Sequence, residues 1–237
     1  MISVTGLLKK YIAFNDKDVS LYMAFKKVLW DYNHRAYYAC KNSINVNGVI
    51  NTKAINDLID YYGIRHLVES YQLKVLKDWN NKKEIGISVH KELALDNDSI
   101  IHNGSSINNP LLTLKPDVYR ELNIYYKDLL VGKPDYFEYR IINGEKIIDI
   151  IDYKVTNNNM DSTRGYIDEF KYKLTPLKIA ALQLSAYGFI FEEHGFKVRK
   201  LEVVQVFVNK TVRREITHPV KYEKEIIIKM LKQNQVI

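Results

Sequence analysis

Cysteine is nearly absent from this 237-residue chain, where Cys40 stands alone. That excludes an internal disulfide framework, a thiolate zinc site and a four-cysteine iron–sulfur cluster. Proline and glycine are sparse, at 5 and 10 residues, and no repeat or low-complexity tract occurs. No apolar run approaches the ~18 residues that a membrane-spanning helix needs. The opening residues 1–10 carry no basic segment ahead of an apolar one, so a secretory signal is not expected. No Gly-x-x-x-x-Gly-Lys-Ser/Thr loop occurs, which removes the usual cradle for a bound nucleotide. These absences together predict a cytoplasmic protein with no membrane partner.

What the chain does contain is apolar and basic. At 46% apolar and 12% aromatic residues it can bury a proper core. The net charge of +7 and a pI near 9.1 suit a polyanionic partner, although an ordinary basic surface fits the charge equally well.

The first ninety residues read as helical. Asp16 or Asp18 is placed to cap a helix whose apolar positions Leu21, Met23, Phe25, Val28 and Leu29 fall to one side. A second helix is predicted over 54–62 after Asn51 or Thr52. A third runs over 64–79 and breaks at the polar stretch Asn80-Asn81-Lys82-Lys83, with His90 on the next helix. Residues 97–109, rich in Asn, Ser, Gly and Asp, read as a loop.

The period then changes to that of strands. Three runs are predicted, over 121–130, 135–142 and 146–155, and Asn143-Gly144 between the last two suits a tight hairpin because both positions tolerate positive φ. After the polar segment 157–173, Pro176 opens a helix running to about His194 with Gly195 placed to end it. A strand over 200–208 and a helix over 222–232 complete the chain. The expected fold class is α/β, a mixed central sheet flanked by helices with an N-terminal helical portion. The expected organisation is a single domain over 1–237, with a helical portion 1–83, a core 84–208 and a C-terminal helix in 209–237.

The densest chemical constellation is Gly132-Lys133-Pro134-Asp135, then sixteen intervening residues, then Asp152-Tyr153-Lys154. Strand alternation puts Asp152 and Lys154 on one face and Tyr153 on the other. If Asn143-Gly144 makes the hairpin, Asp135 comes within reach of the same spot. Two carboxylates side by side are costly without a cation between them, and oxygen ligands suit Mg²⁺ or Mn²⁺. The bland alternative is a cross-strand salt bridge. Asp149, at an odd offset from Lys154, faces the other side and reads as structural or exposed.

The surrounding residues carry a resemblance. The chain resembles the PD-(D/E)XK nucleases, which have a restriction-endonuclease-like core, and among them the RecB-like and phage-type exonucleases. The likeness rests on Gly86-Ile87-Ser88-Val89-His90-Lys91-Glu92-Leu93, on Gly132-Lys133-Pro134-Asp135, on Ile148-Asp149-Ile150-Ile151-Asp152-Tyr153-Lys154, and on Gln183-Leu184-Ser185-Ala186-Tyr187, in that order. The opening Ser3-Val4-Thr5-Gly6-Leu7-Leu8 is similar to the start of many phage members. Two departures stand out: Val155 precedes Thr156 where relatives have threonine directly after the lysine, and Pro134 replaces a small apolar residue.

The resemblance implies a stand-alone, metal-dependent DNA exonuclease in phage replication, recombination or DNA degradation. A restriction-type or structure-specific endonuclease and a catalytically silent DNA-binding module are its alternatives. It implies Asp135, Asp152 and Lys154 as catalytic residues assisted by Gln183 and Tyr187. Mg²⁺ or Mn²⁺ would be held by His90, Asp135, Asp152 and the backbone carbonyl of Tyr153. Glu121 is either a further ligand, direct or through water, or a solvated strand residue. DNA contacts are expected from the basic segment holding Lys197, Arg199, Lys200, Lys210, Arg213 and Arg214. A replication or recombination protein as partner, and an oligomeric state, stay open.

Overall fold

The structure, a computed structural model, describes residues 1–12, 16–46, 49–95, 109–162, 165–167, 170–209 and 212–237. In order the elements are β1 (Ile2–Ser3), α1 (Val4–Lys9), α2 (Asp16–Ile44), β2 (Asn45–Val46), β3 (Val49–Ile50), α3 (Thr52–Tyr62) and α4 (Arg65–Leu95). Then come β4 (Asp117–Arg120), β5 (Ile124–Tyr126), β6 (Leu130–Gly132), β7 (Tyr136–Ile142) and β8 (Glu145–Val155). The chain ends with β9 (Gly165–Ile167), β10 (Tyr172–Leu174), α5 (Pro176–Glu192), β11 (Lys197–Asn209), β12 (Val212–Pro219) and α6 (Lys224–Gln233). The fold is a mixed α/β fold, and no helix among the described residues is long and apolar enough to cross a membrane.

The chain divides into two compact units. One comprises residues 1–11, 86–162 and 174–237, the other residues 12–85 and 163–173. The physical reason is that the helical segment has a core of its own: Phe25, Leu29, Ile44, Ile55, Ile59, Ile64 and Val68 bury against one another. Met23, expected on the apolar side of α2, is 41% exposed instead. Two residues are about 200° of helical rotation, so Met23 points away from the face that Phe25 and Leu29 share. Farther along, α2 kinks. Asn33 takes non-helical angles (φ −158, ψ 88), and its side chain accepts a hydrogen bond from the Ala36 N–H at 3.1 Å, starting a new helical run. Asn51 caps α3 in the same way through the Ala54 N–H, and Gly63 ends it at φ 63. The break predicted at 80–83 does not occur. α4 runs through it as one helix, because Asn and Lys on a solvated face cost a helix only tenths of a kcal/mol each.

The other unit is built on a five-stranded sheet ordered β12-β11-β8-β7-β4, antiparallel throughout except for the parallel pair β11 and β8. A parallel pair needs a crossover, and α5 supplies it. Thr175 caps α5 through the Lys178 N–H, Pro176 occupies the first turn, and Gly195 lies just beyond its end at φ 80. One face of α5 packs on the sheet through Phe191, which meets Phe137 edge-on at 4.9 Å. Phe137, Ile148 and Ile150 are fully buried there, each worth roughly 1.5–3 kcal/mol of burial. On the opposite face, Val89 near the end of α4 packs with Val204, Val206, Ile151, Tyr153 and Val155.

Two strand expectations change. Residues 121–130 do not form one strand: the chain leaves β4 at Glu121 (φ 52), enters β5, and turns at Lys127 (φ 49) into β6, which pairs with β1 and β5 in a separate sheet. The basic run after β11 is not a connector to a helix but β12, paired along β11 from Asn209↔Val212 to Glu202↔Pro219. The loop expected over 97–109 lies outside the described residues apart from Asn109.

Candidate active site

The site is assembled by the hairpin of β7 and β8. Ile142 pairs with Glu145 across Asn143 (φ 53) and Gly144 (φ 80), the two positive-φ positions that a tight turn demands. From that turn the register runs to Tyr136↔Ile151. One step further sets Asp135 opposite Asp152, and directly opposed residues project to the same face. An Asp135 carboxylate oxygen accepts the Tyr153 backbone N–H at 2.8 Å.

Asp152 is fully buried, and the Lys154 ammonium, two residues along the same face, reaches its two oxygens at 2.9 and 2.8 Å. Lys154 is held from the other side by the Gln183 side-chain carbonyl at 3.3 Å, and the Gln183 amide donates to the Tyr187 hydroxyl at 2.8 Å. Gln183 and Tyr187 lie one helical turn apart on α5. The chain Asp152–Lys154–Gln183–Tyr187 thus links the strand to the helix above it. Gly132 has a part in this: a Cβ there would come within 2.7 Å of the Tyr187 ring, so the glycine of Gly-x-x-Asp makes room for the tyrosine of Gln-x-x-x-Tyr.

Burial and charge act on each of these groups. Burial, and then the Asp152 charge, push the Asp135 carboxyl up to about 7, against the opposing pull of Lys154 and of the Tyr153 N–H. Burial alone would push Lys154 down, but Asp152 and Asp135 outweigh it and hold its ammonium above its ordinary value. Burial likewise pushes the Tyr187 hydroxyl up, keeping it protonated.

A divalent cation fits this donor set in part. Asp135 and Asp152 are hard oxygen donors on one face, and a bound cation would favour the ionised form of Asp135. Among the described residues, no three His, Cys, Asp or Glu side chains lie together as a ready metal cage. The two aspartates are therefore a partial set, with the Tyr153 carbonyl available as a further oxygen. His90 lies on α4, one residue beyond Val89, but its side chain is outside the described residues. Glu121 stands beside Asp135, since its N–H donates to the Pro134 and Asp135 carbonyls at 3.1 and 3.3 Å. It is not a strand residue, and its carboxylate pairs with Lys133.

Asp149 is buried on the far face, held by both arms of Arg199 and, at 3.5 Å, by Arg140. Asp149→Asn is expected to lower stability by about 1 kcal/mol, discounted because both arginines are 44% exposed. Cleavage per folded molecule should stay near wild type. Thermal melts and single-turnover rates on the same sample check this, and activity lost as completely as with Asp152→Asn would refute the assignment.

The structure does not bring the expected DNA-contact residues together as a group of unengaged charges. Arg199 is committed to Asp149, Lys197 pairs with Glu145 at 2.9 Å, and Lys200 pairs with Glu202 at 2.8 Å. A sequence shows an excess of charge but not the carboxylate across the strand that answers it. Arg214 is exposed on β12; Lys210 and the Arg213 side chain lie outside the described residues. Gln205 escaped the sequence reading. It is buried, donates to the Thr156 and Asn158 carbonyls at 3.0 Å each, and meets His218 at 3.1 Å, tying the segment after Lys154 to β11 and β12. One polar residue inside Val203-Val204-Gln205-Val206 was the available signal.

No protein-family model and no curated protein sequence matches the chain. Among solved structures it is similar to one described as the crystal structure of SSO0001, with 15% identity and a TM-score of 0.33, over 73% of this chain and 68% of that one. A likeness of that strength carries no argument about function.

Proposed function

We propose that this protein is a metal-dependent nuclease of the PD-(D/E)XK type that acts as a DNA exonuclease. The observation that carries the reading is the convergence of Asp135, Asp152 and Lys154 on one face of the β7–β8 hairpin, where burial and the Asp152 charge push the Asp135 carboxyl up to about 7. A salt bridge alone needs one carboxylate and one ammonium; a second carboxyl group on the same face is what a metal-dependent phosphodiesterase requires. That surplus also weighs against a silent binding module.

A Mg²⁺ or Mn²⁺ ion bound here would supply an activated water and neutralise charge developing on the phosphate. Asp135 and Asp152 would hold it, with the Tyr153 carbonyl and His90 as the remaining expected ligands and Glu121 beside them. Lys154 is aimed by Asp152 and Gln183, so its ammonium can orient water and stabilise negative charge on a phosphate oxygen without reorganising. Tyr187 fixes the amide of Gln183 and, as a protonated hydroxyl, can donate towards a phosphate. A place in phage replication, recombination or DNA degradation rests on the sequence resemblance.

Purified protein with Mg²⁺ or Mn²⁺ is expected to degrade end-labelled linear DNA, to spare covalently closed circles, and to stop in EDTA. Cleavage of circles would establish the endonuclease alternative. Cleavage that persists in EDTA, or none with either metal, would overturn the mechanism.

A further inference from the structure

The helical unit carries an aromatic stripe that its own core does not need. Trp30 and Tyr38 on α2 are 43% and 53% exposed, although aromatic rings of this size ordinarily bury most of their surface. Residues eight apart in a straight helix rise about 12 Å. The Trp30 and Tyr38 rings nevertheless lie 5.5 Å apart, tilted at 58°, with Tyr37 edge-on to Trp30 at 5.6 Å and His34 at 6.2 Å. The kink at Asn33 closes that gap, so the chain departs from regular helix at the place that gathers exposed rings.

Positive charge predominates along α2 around the stripe. The Lys41 ammonium sits 5.1 Å from the Tyr38 ring centroid, and that of Lys26 lies 5.9 Å from Tyr37. Over residues 19–56 the sequence has Lys26, Lys27, Arg35, Lys41 and Lys53 against one acid, Asp31, and that acid is paired to Lys27 at 2.7 Å. Rings that offer flat faces, interleaved with lysines and with the neighbouring carboxylate Asp31 already paired, match a strand whose bases are unpaired and whose backbone is anionic. A duplex hides its bases and could use only the lysines. An apolar protein helix would leave these charges without partners.

We propose that this face of α2 binds single-stranded nucleic acid, with bases stacking on Trp30 and Tyr38 and phosphates against Lys26 and Lys41. If the protein is the nuclease proposed above, the surface selects single strands as its substrate class, and that part rests on the nuclease reading; the binding itself does not.

The test uses the full chain in EDTA, with Trp79→Phe so that Trp30 is the remaining tryptophan, and a labelled oligothymidylate as probe. Binding is expected to quench Trp30 fluorescence and to be at least about tenfold tighter than binding of a duplex of equal length. Trp30→Ala with Tyr38→Ala should weaken anisotropy-measured binding at least about tenfold. Lys26→Gln with Lys41→Gln should reduce the slope of log affinity against log salt by about 1.4. Circular dichroism of each variant controls for folding, and Trp30→Phe, which keeps a ring, should retain most of the affinity.

Equal binding of duplex, an unchanged affinity after ring removal, or quenching by anionic lipid vesicles but not by the oligonucleotide would overturn the proposal. The two readings fail separately. Cleavage in Mg²⁺ with ring-independent binding would sink only the stacking surface; ring-dependent binding without cleavage would sink only the nuclease.

Discussion

Replacing Lys154 by alanine is expected to reduce DNA cleavage at least about 10²–10³-fold, the usual cost of losing one preorganised donor to a developing oxyanion. It should also destabilise the protein, because Asp152 is fully buried and Lys154 contacts both of its oxygens. Removing one partner of a buried ion pair costs about 3–5 kcal/mol, a figure to be discounted here because the Lys154 side chain is 35% exposed. The two effects separate in a double variant. Asp152→Asn with Lys154→Met removes both charges, so stability should return towards wild type while activity stays absent. Denaturant melts and single-turnover cleavage of the single and double variants form the cycle. Activity in the double variant, or a stability loss that adds instead of cancelling, would show that the pair does not work as a unit.

The stability of the metal-free protein should fall as pH rises from about 4 to about 7. The Asp135 carboxyl holds its proton up to about 7, whereas in the unfolded chain it releases it near 3.8. Within that window the folded state binds more protons than the unfolded one, so each step up in pH favours unfolding; above it the loss is complete and the curve flattens. At 1.36 kcal/mol per pKa unit the full excursion is on the order of 4 kcal/mol. Asp135→Asn should remove this dependence and raise stability at pH 8. Mg²⁺ or Mn²⁺ should stabilise the wild type more at pH 8 than at pH 5.5, because the carboxylate must lose its proton to bind an ion. Melting temperatures across pH, with and without metal, decide it. A wild type and an Asp135→Asn protein of parallel pH profiles would place the titration elsewhere.

Much of the candidate site was legible because its determinants are local. Asn143-Gly144 sets the turn, and strand alternation then dictates that Asp152 and Lys154 share a face while Asp149 does not. The same holds for α5, whose start at Pro176 and end before Gly195 follow from residues that only those positions tolerate well. The N-terminal cap Asn51 belongs to this class too, since it satisfies the Ala54 N–H three residues away.

What sequence could not settle depends on partners far along the chain. Arg199 and Asp149 are fifty residues apart and meet because β11 lies parallel to β8, so a charge that counted towards a DNA surface is already paired with a carboxylate of the neighbouring strand. β12 resembles a basic linker until β11 offers its edge, because edge pairing rewards backbone groups that any sequence has. Gly132 looks like a turn residue, yet the Tyr187 ring packs where its side chain would be. By itself the sequence determined turns, caps, strand faces and the types of residue that meet at the site, all within a few residues' reach. The tertiary structure alone decided which charges are neutralised, where the chain divides into two units, and that a kink at Asn33 gathers Trp30, Tyr37 and Tyr38, because such pairings arise only when separate elements, or the two halves of a bent one, close on each other.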